Sequence, residues 1–251
     1  MKVGGIDIGS RSMELVVIDG GKVVLTRQLP TTFNPLLQCK NILKDVEIDT
    51  IVATGYGRDL VSKCTELPVT TITEIKAHAL GAVKGFPESR TVLDIGGQDT
   101  KAISLTAKGR VDSFEMNDRC AAGTGKFLEY TAAVFQIPIE KFGPYALEGN
   151  EPPLINSMCT VFAETEATSL MAQGIAPENI ALGLHNSIVR RTVNMLSRVG
   201  LQYPLVFTGG VAKNPCIVDL LCKELGAELG KELFVSDSPD MNGALGAALA
   251  Y

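Results

Sequence analysis

Histidine is scarce in this chain: only His78 and His185 occur in 251 residues. Histidine-based metal centres and serine–histidine or cysteine–histidine relays therefore have little to work with. No C-x-x-C pair occurs among the six cysteines, Cys39, Cys64, Cys120, Cys159, Cys216 and Cys222. That removes the usual mark of a zinc ribbon or a thioredoxin-like redox site. No apolar run approaches the length of about 20 residues that spans a bilayer, so no membrane association is expected. The first strand-like run opens at Val3 and leaves no room for a signal peptide. The expectation is a cytoplasmic protein with reduced thiols. Positive charge is not in excess either. The net charge is −5, and a mildly acidic chain is a poor binder of polyanions, which argues against nucleic acid as a partner. Hydrophobic residues make up 45% and charged residues 20%. This is an ordinary globular composition, long enough for one large domain or two small ones with real cores.

What the chain does contain is a repeat. Residues 5–23 read GIDIGSRSMELVVIDGGKV and residues 92–111 read VLDIGGQDTKAISLTAKGRV. Each places Asp-Ile-Gly after a short apolar run and continues with a β-patterned stretch. Each then turns, at Asp19-Gly20-Gly21-Lys22 or at Ala107-Lys108-Gly109-Arg110. The pattern predicts two β-hairpins bent at their Asp-Ile-Gly corners. Glycine at such a bend lets the backbone come close to a ligand, and neighbouring N–H groups can hold phosphate oxygens. Asp7 and Asp94 would repel phosphate, so they suit Mg²⁺ or its bound waters. Two such hairpins facing each other would grip a triphosphate from both sides. The plain alternative is two ordinary hairpins; the matching context favours the clamp.

The remaining segments are consistent with that clamp. TEIKAHALGAVKG, from Thr73 to Gly85, predicts a helix with small residues on one side. Tyr203 to Phe207 predicts a buried strand that runs into Thr208-Gly209-Gly210-Val211-Ala212-Lys213-Asn214, followed by a helix opened by Pro215. A strand ending in Gly-Gly before a helix start suits a nucleotide. Asn242 to Ala247 begins another helix whose small residues allow close approach.

In this order the segments resemble the five-part ATP signature of the sugar kinase, heat-shock-70 and actin superfamily, over nearly the whole chain. The resemblance implies an α/β fold of two duplicated actin-like (ribonuclease H-like) ATPase domains with ATP or ADP in the cleft between them. The domains would span 1–88 plus 241–251, and 89–240. It implies Asp7 and Asp94 near Mg²⁺ and the phosphates, and Glu74 orienting the attacking water or nucleophile. Gly9, Ser10, Arg11, Gly96, Gly97, Gln98 and Asp99 would line the phosphates. Gly209, Gly210, Val211, Lys213, Asn214 and Gly243 would complete the nucleotide site.

The middle of the chain departs from a plain kinase. In MNDRCAAGTGKFLE, Asn117 or Asp118 is a credible N-cap, with Phe127, Tyr130 and Val134 at helical spacing and the helix ending before Pro138. Cys159 precedes TVFAETEATSLMAQG, a second helix with Gly174 as its C-cap. Cys120 and Cys159 would then sit at helix N-termini, a setting that favours thiolate. Cys39, Cys64, Cys216 and Cys222 read as small buried hydrophobes. A P-loop reading of Gly123-Thr124-Gly125-Lys126 fails, because Cys120 and Phe127 stand where Gly and Ser or Thr are required.

MNDRCAAGTGKFLE, NSMCTVFAETE, DIGGQDTK and GGVAKN resemble the signature segments of the activators of 2-hydroxyacyl-CoA dehydratases and the related benzoyl-CoA reductase ATPase subunits, from Met1 to Tyr251. Arg119 and Lys126 stand where that family commonly has Lys and Arg, exchanges that keep charge. The resemblance implies that Cys120 and Cys159 of two copies ligate one [4Fe–4S] cluster shared by a homodimer. It implies an ATP-driven one-electron reductase, loaded by ferredoxin or flavodoxin and serving a 2-hydroxyacyl-CoA dehydratase component. Competing expectations are a small-molecule kinase of the same fold, which would phosphorylate a sugar or short acid, and a nucleotide-dependent scaffold, which would bind no iron.

Overall fold

The computed structural model describes residues 1–118, 120, 123–155 and 160–251, with the backbone alone at 160 and 161. The chain opens with strands β1 (Lys2–Ile8), β2 (Ser12–Asp19) and β3 (Lys22–Pro30) and helix α1 (Pro35–Leu43). Strands β4 (Thr50–Thr54) and β5 (Val69–Thr71) follow, separated by a 3-10 turn over Arg58–Lys63. Helix α2 (Glu74–Gly85) leads to β6 (Thr91–Ile95), β7 (Thr100–Leu105) and β8 (Val111–Asn117). Helices α3 (Gly125–Val134), α4 (Ile139–Ala146), α5 (Thr160–Ala172) and α6 (Pro177–Arg198) come next. The chain finishes with β9 (Leu205–Thr208), α7 (Pro215–Leu225), β10 (Leu233–Val235) and α8 (Asn242–Leu249).

These strands form two five-stranded sheets, ordered β3-β2-β1-β4-β5 and β10-β9-β6-β7-β8. Read from opposite ends the orders are the same, with β6 in the place of β1. In each sheet the first three strands are antiparallel and the rest parallel. The register agrees as well. Asp7 lies opposite Glu14 on β2 and Thr54 on β4; Asp94 lies opposite Lys101 on β7 and Thr208 on β9. The repeat legible in the hairpins therefore extends through both sheets, and the expected duplicated α/β architecture is borne out.

The central strands β4 (TIVAT) and β6 (TVLDI) are buried at every position, as strands covered on both faces must be. The edge strands β3 and β8 are mostly exposed and carry Lys22, Arg27, Asp112 and Glu115, charges that discourage edge-to-edge pairing. The larger core lies in the second half, where Phe127, Phe142 and Phe207 are fully buried. Each such aromatic contributes on the order of 2–3 kcal/mol by leaving water.

Two helices cross between the halves. Helix α2 follows β5 of the first sheet but packs on the second, with Ala79 and Ala82 against Val92, Ile103 and Val206. Helix α8 follows β10 of the second sheet but packs on the first, where Ala244 and Ala248 meet Val16 and Ile18. The two helices also pack against each other, Gly81 lying beneath Asn242 and Gly246 beneath Ala77. A division at residue 88 places α2 in the first half by sequence, whereas its packing is against the second sheet.

One expected helix start is corrected. Helix α3 begins at Gly125 with Thr124 as its N-cap residue, not at Asn117 or Asp118. Strand β8 continues to Asn117, which pairs with Thr100 of β7, and that pairing overrides the local capping preference. Cys120 therefore lies in the connection ahead of α3 rather than at its N-terminus. Helix α5 is described over Thr160–Ala172 and ends before Gly174, as read from the sequence. Cys159 and Arg119 lie outside the described residues.

Candidate functional site

The matching hairpins of the two sheets face a common cleft of about 690 Å³, a volume in the range of small-molecule sites. Asp7 and Asp94 lie at its floor with Gly9, Ser10 and Arg11 from the first hairpin and Gly96, Gly97, Gln98 and Asp99 from the second. Gly209, Gly210, Val211, Lys213 and Asn214 also line it, and Glu74 enters from the start of α2. The two hairpin turns are built alike: Gly9 N–H donates to Ser12 O at 3.0 Å and Gly96 N–H donates to Asp99 O at 3.0 Å. Beyond each paired threonine stands a glycine with positive φ, Gly55 at +89° and Gly209 at +85°. A Cβ at either would lie within 2.6 Å of an oxygen of Asp7 or Asp94, so both positions exclude side chains. Gly243 does not line the cleft; it lies under Asp7, where a Cβ would sit 2.1 Å from Oδ2.

The two halves differ in charge. Lys101 is a buried lysine whose Nζ lies 2.8 Å from Glu74 Oε2, 2.8 Å from Asp99 Oδ1 and 3.2 Å from Asp94 Oδ2. Burial alone would discharge it, but the three carboxylates outweigh burial and hold the ammonium above its ordinary pKa. Burial likewise opposes ionisation of Asp94, yet His78, Lys101 and Thr208 hold its carboxyl below the ordinary value. Thr208 Oγ1 donates to Asp94 Oδ1 at 3.3 Å, and His78 Nδ1 lies 3.4 Å from the same oxygen. Asp99 is pushed up by burial despite the same ammonium.

The Asp7 side chain has no hydrogen-bond or ion-pair partner among the described residues. Burial and the nearby Glu14 and Glu74 push its carboxyl well above the ordinary value. The hydroxyl of Thr54, the counterpart of Thr208, is buried and unpartnered. Burial also raises Glu14, to about 7. An unpaired carboxylate beside an orphaned hydroxyl, facing a polar cleft, fits a hydrated divalent cation such as Mg²⁺. Asp94 is already engaged at both oxygens.

Direct bonds join this cleft to the cysteine segment. The carbonyl oxygens of Gly96 and Gly97 accept from the N–H groups of Gly125 and Lys126 at 2.9 and 2.8 Å. Thr100 Oγ1 donates to Gly123 O at 3.2 Å. Arg11, on the first hairpin, pairs with Glu129 of α3, which Lys126 also meets at 3.3 Å. The helix that follows Cys120 is therefore held by both hairpins. Tyr130 of α3 donates to Glu164 of α5, the helix that follows Cys159. Arg190 of α6 donates to Ile155 O at 2.8 Å, and Arg191 lies within electrostatic reach of Cys120. One helix thus touches the chain on the approach to both cysteines.

Lys101, Glu14 and Glu129 line the cleft without being singled out by the motifs that mark it. The first two were within reach of the repeat: Glu14 follows Asp7 by the same seven residues that separate Lys101 from Asp94. Glu129 has no such marker, because its partner lies 118 residues away. Asn214, expected at the nucleotide, does line the cleft. Its side chain also caps α7, accepting from Cys216 and Ile217 N–H, and meets His185 Nε2 at 3.1 Å. Burial lowers His185 to about 4, so it serves as a neutral core residue. Cys120 is exposed, whereas Cys39 and Cys216 are buried, and burial pushes the Cys216 thiol up to about 12. Among the described residues no group of three or more His, Cys, Asp or Glu side chains forms a metal site. No helix among them is long and apolar enough to cross a membrane.

Comparison with known proteins agrees with this geometry. The chain is 37% identical over 255 residues to the activator of lactoyl-CoA dehydratase of Anaerotignum propionicum, covering 98% of this chain and 95% of that one. Its fold superposes on component A of the (R)-2-hydroxyglutaryl-CoA dehydratase of Acidaminococcus fermentans with a TM-score of 0.90 at 32% identity, covering 100% and 97% of the two chains. It superposes on the activator of the 2-hydroxyisocaproyl-CoA dehydratase of Clostridium difficile with bound ADPNP with a TM-score of 0.88 at 35% identity, covering 100% and 94%. With residues 5–250 matching its family model, the chain belongs to the BadF/BadG/BcrA/BcrD ATPase family.

Proposed function

We propose that this chain hydrolyses ATP to drive a single low-potential electron into a 2-hydroxyacyl-CoA dehydratase or related reductase component. The carrier would be one [4Fe–4S] cluster held by Cys120 and Cys159 of two copies. Ferredoxin or flavodoxin is the proposed donor. The observation that supports this reading most directly is the pair of backbone hydrogen bonds that the N–H groups of Gly125 and Lys126 donate to the carbonyls of Gly96 and Gly97. They join the turn read as a phosphate contact to the helix that follows Cys120.

The donor set suits the cluster. Cys120 is an exposed thiol, and two thiolates per chain require a second chain to complete four. When bound, the cluster supplies the one-electron couple. The protein's own residues do the rest. The turns Gly9–Ser12 and Gly96–Asp99 would present backbone N–H groups to the phosphates, and Asp7 would hold the metal ion that accompanies them. Glu74, fixed by Lys101, orients the attacking water. Gly209 and Gly210 take the adenosine. Hydrolysis alters what the two hairpins hold, and Arg11–Glu129 and Gly97–Lys126 carry that change to α3.

The test is iron and acid-labile sulfide on protein purified without oxygen, with a visible spectrum. About four irons per two chains, lost in Cys120→Ser and Cys159→Ser but retained in Cys216→Ser, are expected. Iron-free protein after anaerobic reconstitution would sink the electron-transfer reading and turn attention to phosphotransfer onto sugars or short acids.

A further inference from the structure

The duplicated hairpins carry opposite charges at one matched position, and that asymmetry has a chemical meaning. Glu14 faces Asp7 in the first sheet; Lys101 faces Asp94 in the second. Around Lys101, carboxylates from three separate places converge on one point: Glu74 from the start of α2, Asp94 from β6 and Asp99 from the turn before β7. Three carboxylates meeting at one point carry the negative charge that a hard divalent cation neutralises elsewhere, although with Lys101 between them they form no metal-ligand group among the described residues. Here they are spaced for the hydrogen bonds of an ammonium, at 2.8 to 3.2 Å. The lysine side chain is 2% exposed, so water does not share the point with it. Asp7 and the unpartnered Thr54 hydroxyl are the opposite case, a place with acceptors and no built-in cation.

We propose that Lys101 is a resident substitute for a second divalent cation. On this proposal the cleft works with one metal ion, held on the Asp7 side, while the Lys101 ammonium occupies the cation position on the Asp94 side. Two-metal phosphoryl-transfer sites set a pair of ions about 4 Å apart to share the charge of the reacting phosphate. A covalently tethered ammonium does half of that task and cannot be lost when magnesium is dilute. Lys101 is then a positioning residue: it fixes Glu74 and Asp99 and neutralises the second hairpin. It also ties the first residue of α2 to the turn that holds α3. The inference rests on the reading of the cleft as an ATP site.

A merely structural lysine and a substitute cation predict different behaviour on removal. Loss of a structural lysine lowers stability and leaves metal stoichiometry alone. Loss of a substitute cation opens a metal site. The experiment counts Mn²⁺ bound by nucleotide-free protein, from the EPR signal of the free ion, for the wild type, Lys101→Met and Lys101→Arg. Expected is one additional Mn²⁺ per chain in Lys101→Met, bound at least tenfold more tightly than any the wild type takes at that stoichiometry, and none in Lys101→Arg. Added Mn²⁺ should also raise the thermal midpoint of Lys101→Met more than that of the wild type. Equal Mn²⁺ binding by wild type and Lys101→Met would overturn the proposal. Three unscreened carboxylates can keep Lys101→Met from folding. In that event the protein is refolded with Mn²⁺, and the charge-relieved double variant Lys101→Met/Asp99→Asn is measured beside it. An added ion in either supports the proposal, and its absence from both overturns it. The parent reading has its own control. A wild type that fails to bind Mg·ADP fails as an ATP site, whereas one that binds it while Lys101→Met gains no ion refutes only the role of Lys101.

Discussion

Glu14 shows how a single residue reports on the state of the cleft. Its carboxyl is buried, accepts from Gln28 Nε2 at 2.8 Å, and is raised from 4.5 to about 7. Its folded-state pKa is therefore above the unfolded one, so the folded protein holds a proton that the unfolded chain releases. The linkage sign follows: this contribution to stability is present below about pH 4.5 and is lost as pH rises through about 7. The shift corresponds to roughly 3 kcal/mol at most. Glu14→Gln keeps a neutral group of the same shape and should abolish that loss. In EDTA and without nucleotide, urea unfolding should show the variant equal to wild type near pH 4.5 and more stable by about 2–3 kcal/mol at pH 8. A difference that does not change with pH would show that burial of Glu14 costs nothing in the folded state. The matched residue Lys101 has the opposite sign of charge, so the two hairpins should respond differently to pH although they share a backbone.

At the scale of elements, the crossing of α2 and α8 is the tightest joint in the molecule. A Cβ on Gly246 would lie 1.7 Å from Ala77 O and 2.8 Å from Gly81 N, both backbone atoms, whereas a Cβ on Gly85, at the end of the same α2, would meet nothing within 4 Å. Gly246→Ala should therefore cost about 3 kcal/mol or more and lower the thermal midpoint by at least about 6 °C, because backbone cannot step aside as a side chain can. Gly85→Ala should gain roughly 0.5–1 kcal/mol from helix propensity. Thermal scans of the two variants check the contrast; equal midpoints would mean that the helices separate readily. Helix existence was legible at this scale: the helices over Thr73 to Gly85 and from Pro215 are present as α2 and α7, and α5 ends before Gly174 as its sequence suggests. Helix destination was not. Nothing in EIKAHALGAVKG says that it packs on the sheet that follows it, because that choice depends on Val92, Ile103 and Val206. The start of α3 was misplaced for a similar reason. Pairing of Asn117 with Thr100 extends β8 through the residue that looks like a cap. The matching hairpins were legible because the chain states them twice, and the offset of seven from each aspartate would have given Lys101 as well.

For the whole molecule, the question is whether an event at the phosphates is felt at Cys120, and the contacts give it two routes. One is the backbone bridge from Gly96 and Gly97 to the first turn of α3; the other is the Arg11–Glu129 pair, which spans the cleft from the first half to that same helix. Closure of two halves around a nucleotide is an ordinary hinge motion, and here both halves grip α3, so closure must move it or strain it. The backbone bridge survives any side-chain change, which leaves the ion pair as the part that can be cut. In iron-free protein the alkylation rate of Cys120 is the readout, measured in a Cys64→Ser/Cys159→Ser/Cys222→Ser background so that the thiols left beside it are the buried Cys39 and Cys216. In the Glu129 wild type, Mg·ADPNP should change that rate several-fold relative to nucleotide-free protein. Glu129→Gln removes the charge that Arg11 meets while preserving a hydrogen-bonding group of the same size, and should reduce the nucleotide effect to less than half. Glu164→Gln, which weakens only the α3–α5 tie through Tyr130, should leave it in place. If Glu129→Gln responds to nucleotide as fully as its parent, the signal travels through the Gly97–Lys126 bridge alone. The first half then closes on the phosphates without pulling on the helix that follows Cys120.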